Sequence, residues 1–199
     1  MLLGTASFIV SGVMACIVIS LFDNYILATI IAGGIGELLL GLFLRMRQKI
    51  SRMAIAGIVG MPVGLIISFL LAGGFGSLFS LMDMRFENSA IPDISAIILM
   101  GIIFGAVVGS IIYGRKSIWL FSVVCGAAAI PSGLLVAVMN SGGYLKIWLD
   151  NLLDAFGKID LNFLAITISL GIGMGLSIGL YNILKQKSAD SSFLRQDKG

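Results

Sequence analysis

Six long apolar stretches dominate this sequence, and nothing else constrains its fold as much. A helix crossing ~30 Å of hydrocarbon at 1.5 Å per residue needs about 20 apolar residues in succession. Stretches of that length occur at Leu2–Leu21, Tyr25–Leu44, Met53–Ala72, Ile94–Tyr113, Ile118–Met139 and Leu161–Ile183. Within 199 residues they leave no room for a soluble domain. Lipid offers no hydrogen bonds to the backbone, so each span must satisfy its own N–H and C=O groups and is read as a helix. The expected architecture is an all-α membrane protein. A six-helix transmembrane bundle fills residues 1–184, and a short polar cytoplasmic tail occupies 185–199.

Composition narrows the chemistry. Charged residues make up 12% of the chain, about half the share in soluble domains. Histidine is absent, which removes histidine metal sites, Ser-His and Cys-His pairs and imidazole proton relays. Two cysteines are too few for a disulfide framework or a Cys-rich zinc site. Cys16 and Cys125 read as small buried hydrophobes. Intramembrane proteolysis would require a Ser-His pair, two intramembrane acids or metal ligands. The glycine-rich segment Gly171–Gly179 contains no Lys to grip a phosphate and lies inside a span. The chain is therefore expected to be neither an enzyme nor a holder of a metal or cofactor.

The charges orient the bundle. Arg45, Arg47, Lys49 and Arg52 fill the connection between spans two and three, and Arg115 and Lys116 that between four and five. Lys185, Lys187, Arg195 and Lys198 follow span six, and that side holds only Asp190 and Asp197 in opposition. The other side carries Asp23, Asp83, Glu87, Asp93, Asp150, Asp154 and Asp160 against Arg85, Lys146 and Lys158. Lys and Arg collect on the cytoplasmic side, so both termini are expected there, in a plasma (inner) membrane. Tyr25 and Tyr144 fall at outer span ends, and Tyr113, Trp119 and Tyr181 at inner ends, where aromatic anchors belong. Without a basic n-region or a small-residue cleavage site, the first span reads as retained. The basic balance thus follows from topology and gives no reason to expect nucleic acid. Arg45, Arg47, Lys49 and Arg52 also form a cluster suited to anionic lipid or to a cytoplasmic or membrane subunit.

An internal repeat is written in the glycines. Gly101, Gly105 and Gly109 in span four recur with the same spacing in span six, as Gly171, Gly175 and Gly179. Span two has Gly33, Glu37 and Gly41 in the corresponding places, with Glu in the middle. Between spans three and five, Gly57, Pro62 and Gly64 match Gly126, Pro131 and Gly133 at one constant offset. The pattern predicts three tandem helical hairpins inserted in the same direction, an arrangement found in transporters. Glycines at i, i+4 and i+8 share one helix face and let two backbones approach closely. They can serve packing alone, or helices that slide during alternating access.

Beyond the spans, Tyr144–Ile159 sets Leu145, Trp148, Leu149, Leu152, Leu153 and Phe156 at helical spacing, with charged residues largely between them. This predicts an amphipathic external helix at the interface, either resting on lipid or forming a lid. Phe75–Met82 reads as a shorter version.

Glu37 is the ionisable side chain set well inside a span, roughly 4 Å from the midplane on a count along Tyr25–Leu44. A charge at that depth costs about 2.5–3.5 kcal/mol on insertion scales. Gly33, Gly34 and Gly41 share its face, which turns it toward the bundle. Arg45, eight residues away, is about 12 Å along the axis. Glu37 is thus a candidate proton or cation site, or else a neutral carboxyl bonded to a neighbouring helix. Pro62 and Pro131 each free a carbonyl within a span. With Ser68, Ser132, Thr167 and Ser169 they are candidates to frame a cavity around Glu37. The sequence points first to a small transporter or channel-like protein. The alternative is a non-catalytic membrane subunit, either the substrate-capture component of an ATP-driven transporter or an assembly factor. Six short helices make a thin bundle, which leaves self-association open.

Overall fold

The computed structural model describes residues 2–81, 91–140 and 160–196, with side chains over 2–74, 91–139 and 160–187. Six α-helices follow one another: α1 (Leu2–Phe22), α2 (Tyr25–Phe43), α3 (Ile50–Leu81), α4 (Ile91–Tyr113), α5 (Ile118–Asn140) and α6 (Leu161–Gln196). Short 3-10 turns at Arg47–Lys49 and Arg115–Ser117 lead into α3 and α5. No strand occurs among the described residues. All six helices are long and apolar enough to cross a membrane. Large apolar side chains such as Leu2, Phe22, Phe69, Leu70, Trp119 and Ile183 are more than 60% exposed. A surface of that kind requires an apolar medium, and the chain is built as an integral membrane protein.

The spans sit where the hydropathy places them, with longer helices at several ends. α3 runs through Gly73 and Gly74 to Leu81. A helical glycine costs about 0.5–1 kcal/mol, and an apolar run on either side absorbs that. Phe75–Leu81 is therefore a continuation of α3 and not a separate interfacial helix. α4 begins at Ile91, with Pro92 in its first turn, where a missing N–H removes no intrahelical bond. α6 continues through Gln196, so most of the polar tail is helical. The external helix expected at Tyr144–Ile159 lies outside the described residues.

Turn chemistry fixes the alternation of direction. Asp23 takes φ 49° and its N–H reaches Ile19 O at 2.8 Å, which ends α1. Asn24 then starts α2, its Oδ1 accepting from Leu27 N–H at 2.9 Å. At the other end Arg45 takes φ 55°, and Met46 N–H reaches back to Gly41 O at 2.9 Å, a Schellman closure. Gly114, at φ 86°, ends α4.

Each helix packs against its predecessor and its successor, and α6 closes the ring against α1. The core runs through the middle. Phe8, Leu40, Met53, Met61, Phe104, Phe121, Cys125 and Met174 are all fully buried in one cluster. Phe8 and Phe104, from helices on opposite sides of the ring, meet edge to face with centroids 6.1 Å apart. Among the described side chains, every Lys and Arg stands at one end of this ring. Asp23, Asp93 and Asp160 stand at the other.

Candidate functional site

Glu37 is fully buried, and neither carboxyl oxygen has a hydrogen-bond partner. Its surroundings are built from glycine. Gly33, Gly34, Gly36 and Gly41 are buried around it on α2. On α3, a Cβ at Gly57 would lie 2.9 Å from Glu37 Cγ, so the missing side chain makes room for the glutamate stem. The buried hydroxyls behave differently. Ser68, Ser132 and Thr167 donate to the carbonyls of Leu65, Ala129 and Leu164, three residues back, at 2.8–2.9 Å. Ser177 donates to Gly173 O at 2.7 Å. Buried polar groups are normally paired in this way. Among the described side chains Glu37 and the Asn162 oxygen are the exceptions, and of the two the carboxyl carries the larger cost of being left unpaired.

Apolar layers close the carboxyl off from both ends. Gly60, one turn along α3 from Gly57, abuts Phe104, and Met61 abuts Gly33. Phe8 stands against Gly36 and Gly171. Phe8, Met61 and Phe104, all fully buried, thus pack on the acidic side of the Glu37 position. Toward the basic end, Gly41 packs on Met53 and Ile50. Tyr113 lies 5.3 Å from Phe121 and 4.4 Å from Tyr181, centroid to centroid, with Lys49 Nζ 4.4 Å above the Tyr113 ring.

A cavity of about 460 Å³ opens between the helices at the acidic end. Its walls are mostly apolar, with Leu65, Phe69, Ile97, Met100, Phe163 and Ile166 among them. Asp93, Asp160, Tyr25, Asn162 and Ser68 supply the polar groups. Asp160 caps α6, with Phe163 N–H donating to its Oδ1 at 3.0 Å. Tyr25 Oη donates to its other oxygen at 3.2 Å. Asn162 Oδ1 is buried without a partner. Gly64 abuts Met100 on the cavity floor, two turns along α3 from Gly57. That places the floor about 10 Å from Glu37 along the axis.

The polar and kink candidates therefore do not form one chamber. Ser68 lines the cavity. Ser132, Thr167 and Ser169 are buried, Thr167 against Gly12. Pro62 is buried and Pro131 exposed. Neither helix is interrupted at its proline. The prolines differ because letters and contacts run out of step. By the glycines they meet, Gly57 and Met61 of α3 answer to Cys125 and Ala129 of α5. Pro62 follows Met61 directly, whereas Pro131 lies one position beyond the residue after Ala129. One residue turns a helix by about 100°. The glycine candidates pack as follows. Gly33 meets Gly57, Gly101 meets Cys125 and Ala129, and Gly105 and Gly109 meet Phe121. Gly171 and Gly175 meet Gly4, and Gly179 has nothing within 4 Å. Of the basic cluster, Arg45, Arg47 and Arg52 stand at the surface, and Lys49 lies half-buried over Tyr113.

Several residues that shape the site carry little signal in the sequence. Gly57 looks like any other membrane glycine, and Phe8 and Phe104 like ordinary core. Asp160 was open to recognition, since an Asp just before an apolar run is a common helix start. No gathering of three Cys, Asp or Glu side chains suited to a metal ion occurs among the described residues. Comparisons with protein-family models, with curated proteins and with solved structures match nothing to this chain.

Proposed function

We propose that this chain is a small transporter or channel-like protein in which Glu37 is a proton or cation site. The observation that carries the reading is the fully buried carboxyl with both oxygens unpartnered, held between two apolar layers. Ionisable groups inside membrane helices mark ion and proton paths far more often than packing. A carboxyl with no second acid beside it suits a proton better than a desolvated metal cation, which demands several oxygen ligands. Access to the carboxyl from either end requires one apolar layer to part, the occluded arrangement that alternating access needs.

The same reading takes the fold as three tandem hairpins, with both termini cytoplasmic in a plasma membrane. Contact partners support the repeat. Gly33 on α2 meets Gly57 and Met61 on α3, and one repeat further on Gly101 on α4 meets Cys125 and Ala129 on α5. Gly41 meets Met53 as Gly109 meets Phe121. In the ring, α1 takes the place after α6 that α3 takes after α2. The test is proton or cation flux into liposomes holding this chain alone. Flux is expected in the unmodified protein and lost in Glu37→Gln, which keeps shape and folding. Unchanged flux in that variant removes Glu37 from the mechanism. The surface position of Arg45, Arg47 and Arg52 favours a second reading, a membrane subunit docked by cytoplasmic chains. Stoichiometric partners retained on purification in mild detergent, with no flux from the chain alone, would establish it.

A further inference from the structure

The cavity at the acidic end has a chemistry of its own, distinct from the sealed carboxyl. Its volume of about 460 Å³ lies within the range that takes a small organic molecule. Most of its wall is hydrocarbon, so a bare inorganic ion would gain little there. The polar groups are biased to one role. Asp93 and Asp160 bring carboxylates, and Asn162 brings a buried carbonyl oxygen with no donor. All three present acceptor oxygens, which suit N–H donors or positive charge. The N-termini of α2, α4 and α6 point to this end and bring partial positive charge. Asn24 and Asp160 already cap two of them, and two full carboxylates outweigh what is left. The described side chains place no Lys or Arg at this end. The rings of Tyr25 and Phe163 add faces that favour a cation.

We propose that this cavity binds amphiphilic organic cations, specifically a protonated amine carrying an aryl or alkyl body. The apolar body lies against Met100 and Phe163, and the ammonium group faces Asp93, Asp160 and the Asn162 oxygen. The inference deepens the transport reading by naming a substrate class, and it rests on that reading only where the bound cation is taken to be cargo.

The test is calorimetric titration of the full chain in mild detergent at neutral pH. One probe is 4-phenylbutylammonium and the other is 4-phenylbutanol, of the same length and without the charge. Saturable one-to-one binding of the ammonium is expected, with the alcohol at least about tenfold weaker. Asp93→Asn together with Asp160→Asn is expected to weaken the ammonium about tenfold or more and to leave the alcohol unchanged. Asn retains the capping oxygen at position 160, so α6 keeps its start. Equal binding of the two probes overturns the assignment, as does ammonium binding that survives the double substitution, or no saturable binding. If the double variant does not fold, the two probes on the unmodified chain still decide. A chain that binds the ammonium but carries no flux overturns the transport reading alone. Glu37-dependent flux without probe binding overturns this one alone.

Discussion

The packing of α2 on α3 and that of α4 on α5 differ at one position. Both even-numbered helices present a three-member stripe, Gly33, Glu37 and Gly41 in one and Gly101, Gly105 and Gly109 in the other. The outer members behave alike, Gly33 and Gly101 against the middle of the next helix and Gly41 and Gly109 against Met53 and Phe121. In the middle, Gly105 lets the Phe121 carbonyl approach its backbone, whereas Glu37 fills that space and α3 answers with Gly57. The α4–α5 pair packs at this position through glycine alone. The α2–α3 pair makes corresponding contacts with a carboxyl set between them, made possible by a glycine on the opposing helix. A destabilising group housed by a compensating small residue is what the proposed proton site requires.

The largest effect that would break this comparison comes from filling the second stripe. A Cβ at Gly105 would strike the Phe121 carbonyl and come within 3.0 Å of Cys125 Cβ. Backbone must move to admit it, and overpacking of that kind costs about 1–3 kcal/mol. Gly105→Ala is expected to lose about 3 kcal/mol, the upper end of that range, in denaturant unfolding in detergent. Stability equal to that of the unmodified chain would mean that the two helices are not in the close contact described.

The next effect has the opposite sign. Glu37→Leu replaces an unpartnered carboxyl by hydrocarbon of similar size. Leaving a buried polar group unsatisfied costs about 1–3 kcal/mol, so this variant is expected to be more stable by roughly that amount and inactive in flux. A loss of stability would show that Glu37 has a partner in the membrane-embedded protein and is a structural hydrogen-bonding group. Glu37→Leu and Gly105→Ala together would sharpen the contrast, since both fall on corresponding stripe positions yet shift stability in opposite directions.

A smaller gain is expected at the turn between α2 and α3. Arg45 holds φ 55°, a left-handed conformation that costs an L side chain roughly 1–2 kcal/mol relative to glycine. The equivalent turn after α4 uses Gly114 at φ 86°. Arg45→Gly should raise the unfolding free energy by about 1 kcal/mol. An unchanged value would imply that the arginine recovers its strain through contacts at the bilayer surface.

The spans were legible because an apolar run of about 20 residues in lipid has few structural options. The start of α2 and the burial of Glu37 within its span were legible for similarly local reasons. What stayed hidden is non-local. Closure of α6 on α1 rests on Gly4 and Phe8 meeting Gly171, and span one carries no proline to match those of spans three and five. The cavity draws its lining from five different helices, so no segment carries its pattern. Pro62 and Pro131 match as letters but face different ways, because a one-residue difference in offset is a large rotation on a helix.

Gly179 tests the smallest part of the comparison and the part where sequence and packing diverge most. By spacing it is the counterpart of Gly41 and Gly109, each of which lies against a side chain of the next helix. Gly179 has open space around it. The ring explains the difference, since α1 is the partner there, and the α1 contacts of the stripe fall at Gly171 and Gly175, near Gly4. With no neighbour to strike, Gly179→Ala removes only the backbone freedom of a helical glycine and should gain about 0.5 kcal/mol. The same substitution therefore stabilises at Gly179 and destabilises at Gly105. A loss at Gly179 comparable to that at Gly105 would mean that this glycine is covered in the membrane, and a second copy of the chain, joined through the α6 face, would then be the simplest source of the contact.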